Sequence, residues 1–150
     1  MANTKLGNHP SWAGQSVEKL DSTKQLGRSD SGKVFMIDNS GAFTINLPKL
    51  SADIAGWNCK MIIQVDGSAD VSVVGHGLPA AGGTTNDSDS LWYRELSLAD
   101  EVGTSTNAQD GFTIDADSVK NDSFDIFSDG TSWYVTAIVH EIAHSTPIDS

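Results

Sequence analysis

Apolar and polar residues alternate in short segments along most of the chain after Ser31. Phe43, Ile45 and Leu47 alternate with polar neighbours, as one face of a half-buried strand requires. The alternation is most regular over residues 132–140, where every odd-numbered position from 133 to 139 is apolar. Hardly any segment shows the 3.6-residue period of an amphipathic helix. The pattern therefore predicts an all-β protein.

Turn residues divide this pattern into elements. Gly, Asp, Asn and Ser cluster between the apolar segments, and Pro48 ends one of them. The predicted elements are a hairpin over 34–37 and 42–47, a second hairpin over 57–65 and 70–74, a long loop over 75–90, and strands over 91–98, 111–114, 123–127 and 132–140. Seven or eight short strands predict a single β-sandwich or barrel of jelly-roll-like type.

Residues 1–30 lack this pattern, because their apolar side chains are scattered among polar residues and glycines. We interpret them as an extended N-terminal arm, with a short helix over 16–24 as the alternative. The predicted β domain covers residues 31–141, and residues 142–150 form a C-terminal tail. Trp12 stands out in the arm, since a large aromatic in a polar leader usually anchors into the body or into a partner.

Charge is distributed unevenly along the chain. The formal net charge of −11 argues against nucleic acid as a partner. Residues 1–60 carry seven basic and five acidic side chains, whereas residues 61–150 carry two basic and fifteen acidic ones. This division suggests one end that docks and a body that stays solvated, with an ordinary acidic surface as the alternative. The predicted partner-binding residues of the arm are Trp12, Lys19, Lys24 and Arg28.

Two further features bear on where the protein is made. The sequence contains no apolar run long enough for a transmembrane helix, and its N-terminus lacks the apolar stretch of a secretory signal. We therefore expect a protein made in the cytoplasm and no membrane partner. Cys59, the only cysteine, lies in an apolar segment and is expected to be a buried thiol.

Residues 140–144 read HEIAH and match the motif H-E-x-x-H. On a helix, His140 and His144 would lie one turn apart and bind zinc, with Glu141 as general base. The segment instead continues a predicted strand, with Pro147 close behind. A continuous strand would separate the histidines by about 13 Å, at about 3.3 Å per residue.

Two other features argue against a zinc peptidase. A catalytic zinc needs a third protein ligand, which the few residues downstream do not supply, and an upstream donor such as His76 would be unusual. A small β domain also offers little material for a substrate cleft. We therefore predict a non-catalytic protein without metal or cofactor, and keep His140 and His144 with Glu141 as a less favoured zinc site.

The acidic stretch from Asp110 to Asp122 is a weaker candidate site for calcium. Its carboxylates could supply the oxygen ligands that Ca²⁺ takes. It lacks the terminal glutamate of an EF-hand, and Lys120 occupies the position of the glycine when Asp115 begins the loop. Solvated turn carboxylates are the favoured interpretation.

Two segments carry a family resemblance. The first is SGKVFMIDNSGAFTINLP over residues 31–48, and the second is FDIFSDGTSWYV over residues 124–135. Together they resemble small β-structured virion proteins of tailed bacteriophages, which include capsid decoration (cement) proteins and tail-fibre or spike modules. The resemblance covers roughly residues 31–138. It implies a β-sandwich or barrel, commonly a homotrimer, without catalysis, whose arm embraces the shell or a neighbouring subunit.

The resemblance and the charge division lead to one expected function. The protein is expected to be a decoration protein on the virion surface, which binds the major capsid protein and stabilises the shell. A tail-fibre or receptor-binding module is the alternative, with exposed aromatics such as Trp92 and Tyr93 binding glycans. The HEIAH tail departs from the family pattern, and residues 140–150 are a candidate second docking segment.

Overall fold

The computed structural model describes residues 16–76, 90–99, 105–141 and 144–148. Twelve strands form within these ranges, with short 3-10 turns at Arg28–Asp30 and Ala52–Ile54. The strands are β1 (Val17–Leu20), β2 (Lys24–Gln25), β3 (Val34–Ile37), β4 (Phe43–Asn46), β5 (Asn58–Ile63), β6 (Val71–Val74), β7 (Leu91–Ser97), β8 (Ser105–Gln109), β9 (Gly111–Ile114), β10 (Ser123–Ser128), β11 (Trp133–Val139) and β12 (Ser145–Ile148). The predicted all-β class is confirmed. Within the same ranges, no helix has the length and apolarity needed to cross a membrane.

The strands form two sheets that share one core. The seven-stranded sheet has the order β1-β3-β5-β10-β11-β7-β8, and the five-stranded sheet has the order β12-β9-β6-β4-β2. Buried apolar side chains from both sheets form one cluster. Across it, Phe112 of the five-stranded sheet stacks on Phe124 of the other, with ring centroids 5.2 Å apart. The fold is therefore a β-sandwich, as the alternation predicts.

The first six strands alternate between the two sheets. β1, β3 and β5 lie side by side in the seven-stranded sheet, each parallel to the next. β2, β4 and β6 do the same in the five-stranded sheet. The chain therefore winds around the core and places one strand in each sheet per turn. This pairing differs from that of a jelly roll, whose strands form antiparallel Greek keys.

The two predicted hairpins in the first half of the chain are wrong. In each, the first strand lies in the seven-stranded sheet and the second in the five-stranded sheet. Their connections cross one end of the sandwich, where the buried Asn39 accepts the backbone N–H groups of Ser68 and Ala69 at 3.2 and 3.0 Å. The Asn39 amide donates to Ser118 Oγ at 2.9 Å. A hairpin and a crossing bury the same alternating side chains, so the alternation does not distinguish them.

The strands predicted over 123–127 and 132–140 correspond to β10 and β11, which form a hairpin. The two strands pair antiparallel, and the turn between them contains Asp129 and Gly130. Asp129 Oδ1 accepts the backbone N–H groups of Thr131 and Ser132, both at 2.8 Å. These hydrogen bonds, with those from the Thr131 and Tyr134 hydroxyls, lower the pKa of Asp129 to about 2. The odd-numbered positions of β11 are buried, as predicted.

The expected arm over residues 1–30 and the expected tail over residues 142–150 both include strands of the sandwich, namely β1, β2 and β12. β1 pairs with β3 and β2 with β4, and both Leu20 and Leu26 are buried. Residues 16–30 therefore belong to the sandwich and form no helix over 16–24. These strands have four and two residues, too few to produce a recognisable alternation. Residues 1–15, which include Trp12, lie outside the described ranges.

At the other end of the chain, β12 pairs antiparallel with β9. Most of the expected tail over 142–150 is therefore a strand of the five-stranded sheet. β12 lies at the edge of that sheet, where a proline such as Pro147 is tolerated because its missing N–H faces away from the ladder.

At Gly111 the backbones of β9 and β6 lie close together, with Gly111 opposite Val74. A Cβ atom at this position would lie 2.3 Å from the Val73 carbonyl oxygen and 3.0 Å from Val74 Cα, and only backbone movement relieves such contacts. We expect Gly111→Ala to lower the free energy of unfolding by about 1–3 kcal/mol in urea titrations. Gly41→Ala is the matched control, because no atom lies within 4 Å of its Cβ position. Equal losses in the two variants would contradict the close approach of β9 and β6.

Candidate functional site

The HEIAH motif connects two strands. β11 ends at Val139 and β12 begins at Ser145, so His140 and His144 come from the end of one strand and the start of the next. Their ring centroids are 6.2 Å apart. The predicted continuation of the strand, with a separation of about 13 Å, is therefore wrong. His140 and Glu141 are exposed, whereas His144 is buried.

A buried carboxylate binds His144. The Nδ1 atom of His144 lies 2.7 Å from Asp122 Oδ2, and neither side chain is more than 5% exposed. Asp122 also accepts the backbone N–H of His140 at 2.8 Å and that of Val119 at 3.0 Å. Asp122 thereby joins the ends of β11 and β12 to the loop before β10. In the part of the chain that the structure describes, no three His, Cys, Asp or Glu side chains are grouped to hold a metal ion.

A second buried carboxyl group lies on β7. Glu95 points into the core and is 1% exposed. Its Oε2 atom lies 3.1 Å from the Tyr93 hydroxyl and 3.0 Å from the Ser145 hydroxyl, and these hydroxyls also hydrogen-bond to each other. Its Oε1 atom has no hydrogen-bond partner among the described residues. Burial raises the pKa of Glu95, and the nearby Asp115 raises it further, against the lowering effect of the two hydroxyls and of His144.

The two buried carboxyl groups hold β12 against the rest of the sandwich. β7 belongs to the seven-stranded sheet and β12 to the five-stranded sheet, so the contacts of Glu95 with Ser145 join the two sheets. On the outward side of β12, Thr146 donates to Asp115 Oδ2 at 2.8 Å. These polar contacts satisfy groups that would otherwise be costly to bury. They account for His144, within the HEIAH motif, as an anchor at the start of β12.

The other chemical candidates also have structural roles. Asp115 and Asp122 of the acidic stretch accept hydrogen bonds from Thr146 and His144, as described above. The Cys59 thiol is buried, as predicted, and burial raises its pKa. A buried thiol of raised pKa is a poor nucleophile and a poor metal ligand.

The predicted docking cations each form an ion pair within the chain. Lys19 and Lys24 lie on β1 and β2, which are the edge strands of the two sheets, and Arg28 follows β2. Their carboxylate partners are Asp38 for Lys19 (2.8 Å), Glu18 for Lys24, and Asp53 for Arg28 (3.7 Å). The three cations thus lie along one edge of the sandwich. Trp12, the fourth predicted residue, lies outside the described ranges.

The outer face of the seven-stranded sheet presents a row of aromatic side chains. Phe127 on β10, Tyr134 on β11 and Trp92 on β7 are register partners and are 46, 42 and 48% exposed. We call them the aromatic row. The Tyr134 hydroxyl donates to Asp129 Oδ2 at 2.9 Å, which fixes the orientation of its ring. Trp92 is exposed as predicted, but Tyr93 is buried, because neighbours along a strand face opposite sides.

Two further rows lie beside the aromatic row. In the adjacent row, Lys60, Asp125, Thr136 and Arg94 are polar, and Val34 and Val17 continue the row to the edge of the sheet. The next row is mostly apolar and consists of Met36, Ile62, Ser123, Ile138 and Leu96. Sequence reasoning singled out only Trp92 here, although the alternation of β10 and β11 already places Phe127 and Tyr134 on the outward face.

The outer face of the five-stranded sheet has a different composition. Its central register row consists of Thr44, Ser72, Thr113 and Thr146. Small hydroxyl side chains of this kind are common on a solvated sheet face. The two faces of the sandwich are therefore chemically distinct, and the described large aromatics that are exposed lie on one of them.

Comparison with models of protein families gives no match for this chain, and no curated protein sequence matches it. The fold and the surfaces define a β-sandwich whose described polar clusters are structural and whose distinctive feature is one aromatic outer face. The functional interpretation depends on these surfaces and on the segments with the family resemblance.

Glu95 should make stability depend on pH. Because its folded-state pKa is raised above the ordinary value of 4.5, its contribution is present below that pH and is lost as the pH rises through the folded-state pKa. Glu95→Gln imitates the neutral carboxyl group. We expect the difference in unfolding free energy between this variant and the unmodified protein to grow in favour of the variant as the pH rises from 4 to 8. The growth should be about 1.4 kcal/mol for each pH unit by which folding raises the pKa of Glu95. A difference that does not vary with pH would contradict a raised pKa.

The two histidines of the motif should differ in their effect on stability. His144→Ala removes a buried side chain and leaves Asp122 without one partner, so we expect a loss of about 2–4 kcal/mol in urea unfolding. His140→Ala is the matched control, because that side chain is exposed, and should change stability by less than about 0.5 kcal/mol. Comparable losses at both positions would contradict the anchoring role of His144.

Proposed function

We propose that this protein is a non-catalytic virion protein of a tailed bacteriophage, of the capsid decoration type. In this proposal it binds the outer surface of the major capsid shell and stabilises it, as a homotrimer. The two segments over 31–48 and 124–135 support the family. In the sandwich they supply β3, β4, β10 and β11, so the resemblance involves both sheets rather than a surface loop.

The observation that carries the proposal is the edge at which the N-terminal segment joins the sandwich. β1 is the terminal strand of the seven-stranded sheet, and within the described ranges no strand pairs with its outer side. Val17 on this strand is 64% exposed. An unpaired edge strand offers backbone N–H and C=O groups to a partner strand. Residues 1–15 precede β1 in the sequence.

Charge supports the same edge. Residues 1–60 carry a slight excess of basic side chains, whereas residues 61–150 are strongly acidic. The first segment contains β1 to β4 and the start of β5. Lys24 and Lys33 share the carboxylates of Glu18 and Asp30. This network holds β1 and β2 beside each other across the open edge. The edge is therefore an ordered, nearly neutral surface on an otherwise anionic protein, and it would not be repelled by neighbouring copies.

Deletion of residues 2–15 tests the proposal, because it removes the segment before β1 and leaves the described sandwich whole. Added to decoration-free heads, the deleted protein should occupy the shell at least tenfold less than the full chain, and decorated heads should lose their gain in heat stability. Val17→Asp, which alters the edge itself, should act in the same direction. Thr113→Ala, on the opposite sheet, is the control. Unchanged occupancy after the deletion and after Val17→Asp would contradict the proposal.

The aromatic row favours a second candidate, a tail-fibre or receptor-binding module. Such a module would be present in few copies at the tail, whereas a decoration protein covers the head in many copies. Labelling of the protein on intact particles separates the two.

A further inference from the structure

The aromatic row on the seven-stranded sheet has no role in the core. Its three side chains point away from the buried cluster, and the equivalent outward positions of the five-stranded sheet carry Thr and Ser. Solitary exposed apolar residues need no explanation. Three aromatics on three successive strands in one register row do, since they form a larger exposed surface than one stabilising cross-strand pair, such as that of Phe127 and Tyr134, requires.

The row forms a platform whose central ring is held in place. Adjacent strands lie about 4.8 Å apart, so the row extends about 10 Å from Phe127 to Trp92. The central Tyr134 is held at its hydroxyl by Asp129, and its ring centroid lies 6.3 Å from that of Phe127. A ligand that stacks on this surface therefore does not need to order the Tyr134 side chain, which lowers the entropic cost of binding.

Hydrogen-bonding groups lie directly beside the platform. One shallow depression, between β5, β10 and β11, is bordered by Asn58, Lys60, Asp125, Phe127, Tyr134 and Thr136. A second depression lies on the other side of Tyr134. It is bordered by Tyr134 and Thr136, which it shares with the first depression, and by Trp92 and Arg94. Each depression therefore has an aromatic wall and a wall of donors and acceptors. Lys60 and Asp125 already pair at 3.1 Å, which fixes one donor and one acceptor next to each other.

This composition selects the class of ligand. The buried centre of a protein interface is depleted in Lys and Asp, and here these residues lie in the middle of the face. A pyranose ring has an apolar face of C–H groups and an edge of hydroxyls that both donate and accept. We propose that the aromatic row binds an oligosaccharide, with sugar rings stacked on Tyr134 and Trp92 and their hydroxyls bonded to Asp125 and Arg94. This site is separate from the β1 and β2 edge and does not depend on the capsid role.

An array of neutral and carboxylated oligosaccharides, probed with the labelled full chain, tests this inference. We expect binding to a subset of pyranose oligosaccharides. Titration calorimetry with a soluble oligosaccharide from that subset should show at least tenfold weaker binding for Trp92→Ala and for Tyr134→Ala. Arg94→Ala, which leaves the platform intact, should weaken binding as well. Leu98→Ala is the matched control, because Leu98 is 72% exposed but lies outside the row.

Three results would overturn the proposal. The first is an array without any bound oligosaccharide. The second is binding that survives in Trp92→Ala and Tyr134→Ala, provided that their unfolding temperatures match that of the unmodified protein. The third is a loss of capsid occupancy in those two variants without glycan binding by the unmodified chain, which would make the row a protein-docking surface. The deletion of residues 2–15 should leave oligosaccharide binding unchanged, so failure at the edge and failure at the row are distinguishable.

Discussion

One apolar core shared by two sheets is the constraint on which the rest of the structure depends. The strands whose side chains alternate between buried and exposed turn their buried side to this core. Contacts such as that between Phe112 and Phe124 connect the two sheets directly. The inward positions are therefore fixed by packing. The outward positions are not, so their composition carries information about function. Aromatics on one face and hydroxyl side chains on the other are the clearest difference that this constraint leaves open.

Connections that pass from one sheet to the other explain where several of the buried polar groups lie. Each turn of the chain must cross an end of the sandwich, and crossings bury backbone groups that need partners. Asn39 supplies them for two crossings, and Asp122 does so where β11 passes into β12. Glu95 then joins β12 to the opposite sheet. His144, which resembles a zinc ligand in the sequence, is thus bound by Asp122 at the start of the last strand.

The sequence was sufficient for the strands and for their inward faces, because alternation is a local property. It was insufficient for pairing: β3 and β4 look like a hairpin, and only contacts distant in sequence separate them into two sheets. The burial of Glu95 could not be predicted from the sequence either, because its hydrogen-bond partner Ser145 lies fifty positions away. The HEIAH motif was interpreted as the continuation of a strand, but β11 ends at Val139, before the motif begins. Of the aromatic row, only Trp92 was predicted from the sequence as an exposed aromatic.

In the proposed arrangement, the edge of β1 and β2 contacts the capsid shell, and the aromatic row of the seven-stranded sheet faces outward. A cryo-electron microscopy reconstruction of decorated heads tests this orientation most directly. We expect density for the sandwich on the outer surface of the shell, with β1 nearest the shell and Trp92 and Tyr134 facing solvent. Density in which the aromatic row is buried against the shell, or heads that carry no such density, would contradict it.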